Sequence, residues 1–352
     1  MSFLFQKVKE QFNNKLPFVC YCKPNSDKII AFFQKSDTLF ELENDKNGFA
    51  FVSFDNRKRY LIPEEQSDIY FETFLNSDYI FENNFKTEIN SSDKNKFENL
   101  VGNGVEAIQN GVFEKVVLSR REVLKVEDFD IELVFRKLLF NYNTAFKYCF
   151  YHPKIGFWMG ATPEQFLKVE DDFVKTVSLA GTQTFDKNSV AVWQNKEIEE
   201  QQIVTDFIVS NLKSFSDNVI FSKPYNQQAG NLVHIKTDIK AAIKDRNNIS
   251  KIIDLLHPTP AVCGFPKETA KQFIIENEGY DRAFYAGFIG EWNKDFLTFK
   301  EQQSDLFVNL RCMNIENKEV ILYIGCGITK DSNPEKEFVE TVNKSMIIKK
   351  VL

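Results

Sequence analysis

Two pairs of glutamates give the first hint of chemistry. Glu197 and Glu200 are three residues apart, as are Glu337 and Glu340. On a helix, residues at that spacing share one face, one turn apart. Four carboxylates gathered from two helices would repel one another unless a hard cation lay between them. Mg²⁺ suits that place, because it takes oxygen ligands and keeps waters that a substrate can displace. From spacing alone, a solvated charged face is the simpler reading. Lys115 opens the apolar run Lys-Val-Val-Leu-Ser. Its ammonium could be partly desolvated and its pKa lowered towards base function, or it could be an exposed lysine at a strand start. Glu164 closes the turn Gly160-Ala-Thr-Pro-Glu. A buried carboxyl there could act as a general acid, and an exposed one would be an ordinary turn residue.

Two further segments have unusual backbones. Leu256-His257-Pro-Thr-Pro-Ala261-Val-Cys-Gly-Phe-Pro-Lys267 is held irregular by its prolines and glycine, and rigid irregular segments often wall a ligand site. In Tyr323-Ile-Gly325-Cys-Gly327-Ile328, two glycines at a strand end let backbone N–H groups approach an anion closely. No dinucleotide fingerprint or phosphate-loop lysine accompanies them.

The elements that would carry these residues are legible as patterns. Alternating runs at Lys28–Phe33, Thr38–Leu42 and Gly48–Phe54 predict antiparallel strands. Residues 1–90 are expected to form an N-terminal sheet layer integral to the fold, and 91–352 the catalytic region. Asn90-Ser-Ser-Asp93 is expected to cap a helix that ends near Gln109. A strand at Glu114–Val123 and a helix at Ile131–Phe140 follow. Further strands are expected at Ala145–Tyr151, Gly156–Met159, Gln165–Val169, Phe173–Leu179, Leu232–Asp238, Ala286–Trp292, Leu306–Asn314 and Val320–Gly325. Helices are expected at Glu197–Lys213 and from Pro334 towards Ile347. Strands and helices mix without strict alternation, so the pattern favours α+β over a doubly wound sheet.

Composition removes several classes of function. The chain has 352 residues, with 44 basic against 50 acidic side chains and a net charge of −6. That balance, with no long basic run, argues against a nucleic-acid binder. The 36 phenylalanines supply more burial than a disordered chain carries. The longest apolar stretch, Val320–Ile328, is far short of the roughly 20 residues of a membrane helix. The N-terminus reads as the start of an amphipathic helix and not as a signal peptide. Six scattered cysteines show no metal-type spacing. They are expected to be packing residues of a cytoplasmic enzyme.

Taken in order, these pieces resemble one family. Lys115-Val-Val-Leu-Ser-Arg120, Gly160-Ala-Thr-Pro-Glu164, Leu179-Ala-Gly-Thr182, Lys196-Glu-Ile-Glu-Glu200, His257-Pro-Thr-Pro-Ala261, Gly325-Cys-Gly327 and Glu337-Phe-Val-Glu-Thr341 with Lys344 are similar to motifs of the chorismate-utilising enzymes. That family holds isochorismate, salicylate, anthranilate and aminodeoxychorismate synthases. The resemblance covers about residues 95–348. It implies a large single-domain α/β sandwich, a β-sandwich core flanked by helices.

The resemblance also implies roles. Glu200 and Glu340 match the family's magnesium ligands, and Glu197 and Glu337 the carboxylates that hold the metal's waters. The family's usual histidine after Glu200 is replaced by Gln201. Arg311, as a strand arginine, and Tyr285 would meet the enolpyruvyl carboxylate of chorismate. The ring carboxylate would lie on Mg²⁺ near Gly325 and Gly327, with Lys344 balancing charge. His234 matches a histidine near the leaving group, and His257 is a second candidate. Lys115 would activate water for attack at C2, and Glu164 would protonate the departing C4 hydroxyl. The resemblance thus implies an isochorismate synthase feeding menaquinone or siderophore synthesis, with chorismate as substrate and no glutaminase subunit. Ala261, where salicylate synthases tend to carry threonine, favours it over a salicylate synthase. A non-catalytic homologue is the remaining alternative.

Overall fold

The strand Phe18-Val-Cys-Tyr-Cys22 is buried on both faces. Val19 and Tyr21 point into a core between two sheets, while Phe18, Cys20 and Cys22 point into a second core on the other side. Alternate side chains leave a strand on opposite faces, so a strand of this composition must lie inside the molecule. The computed structural model, which describes residues 3–74, 91–184, 191–229 and 232–352, shows such a strand third from one edge of a nine-stranded sheet.

That sheet runs Gly264–Phe265, Lys115–Lys125, Glu319–Ile328, Cys312–Glu316, Gly156–Thr162, Phe146–His152, Phe18–Cys22, Lys28–Gln34, Ser67–Thr73. A ten-stranded sheet runs Val219–Phe221, Leu232–Ala242, Phe173–Thr184, Gln165–Glu170, Ser304–Val308, Phe288–Trp292, Gly48–Val52, Arg59–Pro63, Phe40–Glu41, with Tyr225–Ala229 also paired to Leu232–Ala242. Stacked aromatics such as Phe51 on Phe150 at 4.0 Å and Phe146 on Phe307 at 4.4 Å join the sheets face to face. This is the expected α+β sandwich. The strands of the N-terminal segment do not stack as one layer. Phe18–Cys22, Lys28–Gln34 and Ser67–Thr73 join the first sheet, and the others join the second. The boundary expected at residue 90 lies outside the described residues.

Seven α-helices are described: α1 (Phe3–Asn13), α2 (Ser91–Gln109), α3 (Ile131–Asn141), α4 (Asn195–Lys213), α5 (Asn248–Leu256), α6 (Lys267–Asn277) and α7 (Pro334–Lys349). Their starts follow capping chemistry. Asp130 accepts from the Leu133 N–H at α3, and Asn333 accepts from the Lys336 N–H at α7, which has Pro334 in its first turn. α1 and α3 cover the outer core through Leu4, Phe5, Val8, Phe135 and Leu138. None of the described helices is long and apolar enough to cross a membrane. All six cysteines are buried thiols.

One expected strand is wrong. Leu306–Asn314 is two strands, Ser304–Val308 in one sheet and Cys312–Glu316 in the other. The chain crosses between the sheets at Asn309-Leu310-Arg311. Arg311 takes a left-handed conformation, φ 48°, which breaks the run. A second crossing lies alongside, where Gly156–Thr162 of the first sheet passes through Pro163 and Glu164 to Gln165–Glu170 of the second. Hydrogen bonds lock the two together. Val308 N–H donates to Glu164 O at 3.0 Å, Ala161 N–H to Arg311 O at 3.1 Å, and Thr162 Oγ1 to Val308 O at 2.6 Å.

Asn309, fully buried, is the bolt of this junction. Its backbone N–H donates to Gly287 O at 2.8 Å and its amide Nδ2 to Phe284 O at 2.9 Å, while Oδ1 accepts from Tyr148 OH at 2.7 Å. Asn309→Leu strips partners from a buried hydroxyl and a buried carbonyl, each worth about 1–3 kcal/mol when left unsatisfied. Urea unfolding should therefore show a loss of about 2–4 kcal/mol. A change within experimental error would mean that the junction is held by packing alone.

Candidate active site

Each side of the site is set by a different element. The strand Lys115–Lys125 lies beside Glu319–Ile328, with Val117 opposite Gly327 and Ser119 opposite Gly325. Small residues here leave a hollow that side chains of α4 and α7 enter. The result is a cavity of about 150 Å³ between the sheet edge and these helices. Glu164, Glu197, Glu200, His234, Ala261, Tyr285, Arg311, Gly325, Gly327, Glu340 and Lys344 all line it. The resemblance-based set, scattered over 180 residues of sequence, is thus brought together almost whole.

Lys115 lies just behind this wall. It is fully buried, and its Nζ is 2.9 Å from Glu200 Oε1. A Cβ on Gly327 would collide with that same Glu200 oxygen and lie 3.5 Å from Lys115 Cε. Gly327 therefore leaves the room that the lysine–glutamate pair occupies. Gly325 does the same for Tyr285, whose hydroxyl would be 2.7 Å from an added Cβ. On α7, Glu340 and Lys344 pair at 2.6 Å, one turn apart, and Lys344 also donates to Gly325 O at 3.0 Å.

Glu164 faces the same cavity. Burial pushes its carboxyl up to about 7, against the downward pull of Lys115, Lys344 and Arg311. It can hold a proton near neutrality despite three cationic neighbours. Arg311 Nη1 is buried without a hydrogen-bond partner in the structure. A guanidinium N–H left so in a cavity wall fits a carboxylate ligand. His234 Nδ1 lies 2.9 Å from Gly181 O. A carbonyl only accepts, so Nδ1 carries the proton. Burial pushes the ring down to about 4, which keeps it neutral and leaves Nε2 an acceptor.

Two expected residues lie elsewhere. Glu337 is buried but stays off the cavity wall. On α7 Glu340, Lys344 and Ile348 line the cavity, while Glu337 lies on the same face nearer the helix start, one turn before Thr341, whose hydroxyl accepts from Arg120 Nε at 2.7 Å. His257 is a core residue. Its Nε2 meets Ser53 O at 3.0 Å, and its ring packs edge-on against Phe288 and Phe166. Arg311 sits on a sheet crossing and not within a strand.

The sequence reading missed a buried pair behind the wall. Arg282 and Glu278 form a bidentate ion pair, and Arg282 also donates to Val262 O at 2.9 Å and Val117 O at 2.7 Å. Both valines line the cavity. Glu278 completes its shell by accepting from Ser119 N–H at 2.6 Å. The i, i+4 spacing of the two was visible, but such pairs are usually exposed.

A profile of the family described as chorismate binding enzyme matches residues 58–352. The chain belongs to this family. A salicylate biosynthesis isochorismate synthase of Pseudomonas aeruginosa is 29% identical over 278 residues, 75% of this chain and 56% of that protein. The isochorismate synthase MenF of Escherichia coli is 28% identical over 272 residues, 74% of this chain and 61% of its own length. Both alignments thus span less than two thirds of the relative. The solved structure of MenF, the menaquinone-specific isochorismate synthase from Escherichia coli, matches with a TM-score of 0.79 at 21% identity. It covers 96% of this chain and 88% of that one, a likeness of fold.

The family generally uses Mg²⁺. The donors here fit its chemistry, since Glu197, Glu200 and Glu340 bring carboxylate oxygens to one cavity. Among the described residues, no three acidic, histidine or cysteine side chains already form a cation cage. Glu200 and Glu340 each rest on a lysine, and Glu197 accepts from the Gln194 N–H at 3.0 Å as a helix cap. Gly327→Ala should push Glu200 off Lys115 and abolish turnover. The clash falls on a movable carboxylate, so the thermal transition should stay within a few degrees of the parent. Normal turnover in Gly327→Ala would show that the Lys115–Glu200 geometry is not required.

Proposed function

We propose that this protein is an isochorismate synthase, converting chorismate to isochorismate with Mg²⁺. The observation that carries the reading is the pairing of chemical roles in one cavity. Glu164, a buried carboxyl that keeps its proton near neutrality, lines that cavity, and the buried Lys115 lies just behind its wall, 2.9 Å from Glu200. The names of the relatives support the same activity.

Arg311, with its unpartnered Nη1, and Tyr285 would take the enolpyruvyl carboxylate. Glu200 and Glu340, with Glu197 near the water shell, would hold Mg²⁺, which supplies charge neutralisation for the ring carboxylate. Glu337, buried on the same helix but off the wall, is not among the direct ligands. Lys115, as the free amine, would take a proton from water as its oxygen bonds to C2. The double bonds shift, the C4–O bond breaks, and Glu164 gives its proton to the departing hydroxyl. One water enters and one leaves, so the reaction is an isomerisation. His234 Nε2, an acceptor, would receive a hydrogen bond from a substrate hydroxyl. Ala261 leaves the wall smooth where a threonine would crowd the ring. The product would serve menaquinone or siderophore synthesis.

The deciding experiment incubates the protein with chorismate and Mg²⁺ and separates the products. Isochorismate should approach an equilibrium with chorismate, reached also from isochorismate, without stoichiometric pyruvate. EDTA should stop the reaction. Steady salicylate with matching pyruvate would make the protein a salicylate synthase, and no conversion would leave a binding protein. Lys115→Ala and Glu164→Gln should each lower kcat by at least a hundredfold, in line with general acid–base contributions of about 10²–10⁴.

The pH dependence has a definite sign. A general acid works only while protonated, and Glu164 loses its proton as pH rises through about 7. Forward kcat should fall on the alkaline side of that value, and the fall should be missing from the residual rate of Glu164→Gln. A rate that keeps rising to pH 9 would remove Glu164 from the role of acid.

A further inference from the structure

Glu164 and its neighbour Gln165 face opposite ways, as successive residues at a strand start do. Glu164 lines the catalytic cavity, and Gln165 lines a second, polar cavity of about 800 Å³. The two cavities share Pro163, Leu179 and His234 as a partition. The backbone at Glu164 is held by two hydrogen bonds. Its N–H reaches Thr162 Oγ1 at 3.3 Å, and its carbonyl accepts from Val308 N–H at 3.0 Å. Immediately beyond, the ladder against Ser304–Val308 shifts register between Gln165 and Leu167. Sheet hydrogen bonding is therefore interrupted where the acid must be aimed.

The Gln165 side chain fills that gap. Its Nε2 donates to Asp305 Oδ1 at 2.8 Å, and Asp305 Oδ2 lies 3.7 Å from Lys23 Nζ. Lys23 comes from the opposite sheet. It is bound to Glu291 Oε2 at 2.5 Å and Asp295 Oδ2 at 2.7 Å, and Tyr21 OH donates to Glu291 Oε1 at 2.7 Å. Three carboxylates around one ammonium are a costly thing to bury, and apolar packing would hold the sheets at least as well. Such clusters are best attested where they fix a register, and this one ends on the residue next to Glu164.

We propose that Gln165 is a positioning residue for Glu164, tied through Asp305 and Lys23 to both sheets so that the acid keeps its aim across the irregular ladder. The proposal rests on the reading of Glu164 as the acid. The charged groups facing Glu164 are Lys115, Lys344 and Arg311, and those facing Asp305 are Lys23, Lys168 and Asp295. Gln165 itself carries no charge, so its loss acts on Glu164 through placement.

Gln165→Leu removes the donor at similar size. Gln165→Lys restores a donor that can reach Asp305. For each, kcat and KM for chorismate at saturating Mg²⁺, the alkaline limb of kcat and the thermal transition are measured on the full chain. Gln165→Leu should lower kcat about tenfold and displace the alkaline limb, with KM within about twofold, and Gln165→Lys should recover most of the loss. A parental kcat and limb in Gln165→Leu would overturn the proposal. So would a parallel loss of kcat, KM and thermal stability that Gln165→Lys does not recover. Glu164→Gln in the same assay separates the two levels. If it turns over normally, the reading of the acid fails, and Gln165 with it. If it is inactive while Gln165→Leu is normal, only the positioning role fails.

Discussion

The structure depends on two strand-to-strand crossings that run side by side between its sheets. A backbone that leaves one sheet for another must abandon its ladder inside the core, and buried N–H and C=O groups need partners. Here the crossings partner each other. Ala161 and Glu164 bond through the backbone to Arg311 and Val308, and Asn309 ties the crossing to Gly287, Phe284 and Tyr148. The same segments present Glu164 and Arg311 to the cavity. A regular strand would have aimed these side chains by its two-residue period. Only an irregular segment braced from both sides can turn an acid and a guanidinium towards one hollow.

Charge is handled in two ways around that hollow. Arg282 and Glu278 are buried and complete, each with backbone partners besides the other. Removing one would strand the other at a cost of about 3–5 kcal/mol, so this pair acts as framework for the walls at Val117 and Val262. The groups that face the cavity are held differently. Lys115 leans on Glu200, Lys344 on Glu340, and Arg311 keeps an unused N–H. These pairs can be opened by a ligand that offers better partners, whereas Arg282 has nothing to gain from one. Framework and site thus differ in how fully each charge is satisfied.

This difference also explains what the sequence could and could not say. α2, α3, α4 and α7 were readable from period and local start signals such as Pro334, whereas α5 and α6, on either side of the proline-rich segment, were not. Most strands were readable because both sheets bury apolar residues. For the same reason Leu306–Asn314 read as one strand. Its residues are mostly apolar on both sides of the crossing, and the only signs of the break were Asn309 and Arg311 within that run. The glutamate pairs gave the right helices. Three-residue spacing puts both members on one face but a turn apart along the helix, so Glu197 and Glu200 reach the cavity while Glu337, a turn before Glu340, stays off its wall. His257 misled because a histidine heading a proline-rich segment looks available, and its burial against Phe288 is a tertiary fact. Arg282 and Glu278 were invisible, since nothing local separates a buried i, i+4 pair from an exposed one.

Gln201 shows how a departure from the family's pattern can still be consistent with the site. It follows Glu200 directly, yet points away from the cavity. Its amide sits against Ser178, Thr205 and Thr237 hydroxyls at 3.2, 3.0 and 2.9 Å, all buried. Ser178 and Thr237 face each other across neighbouring strands, so the amide rivets α4 to both. No member of this cluster titrates in the physiological range. Glu200, one residue before, changes partners if it takes up a cation, and that rearrangement alters the charge on only one face of the helix. A neutral anchor on the other face does not respond to it. The helix is therefore held in place from the side opposite Glu200.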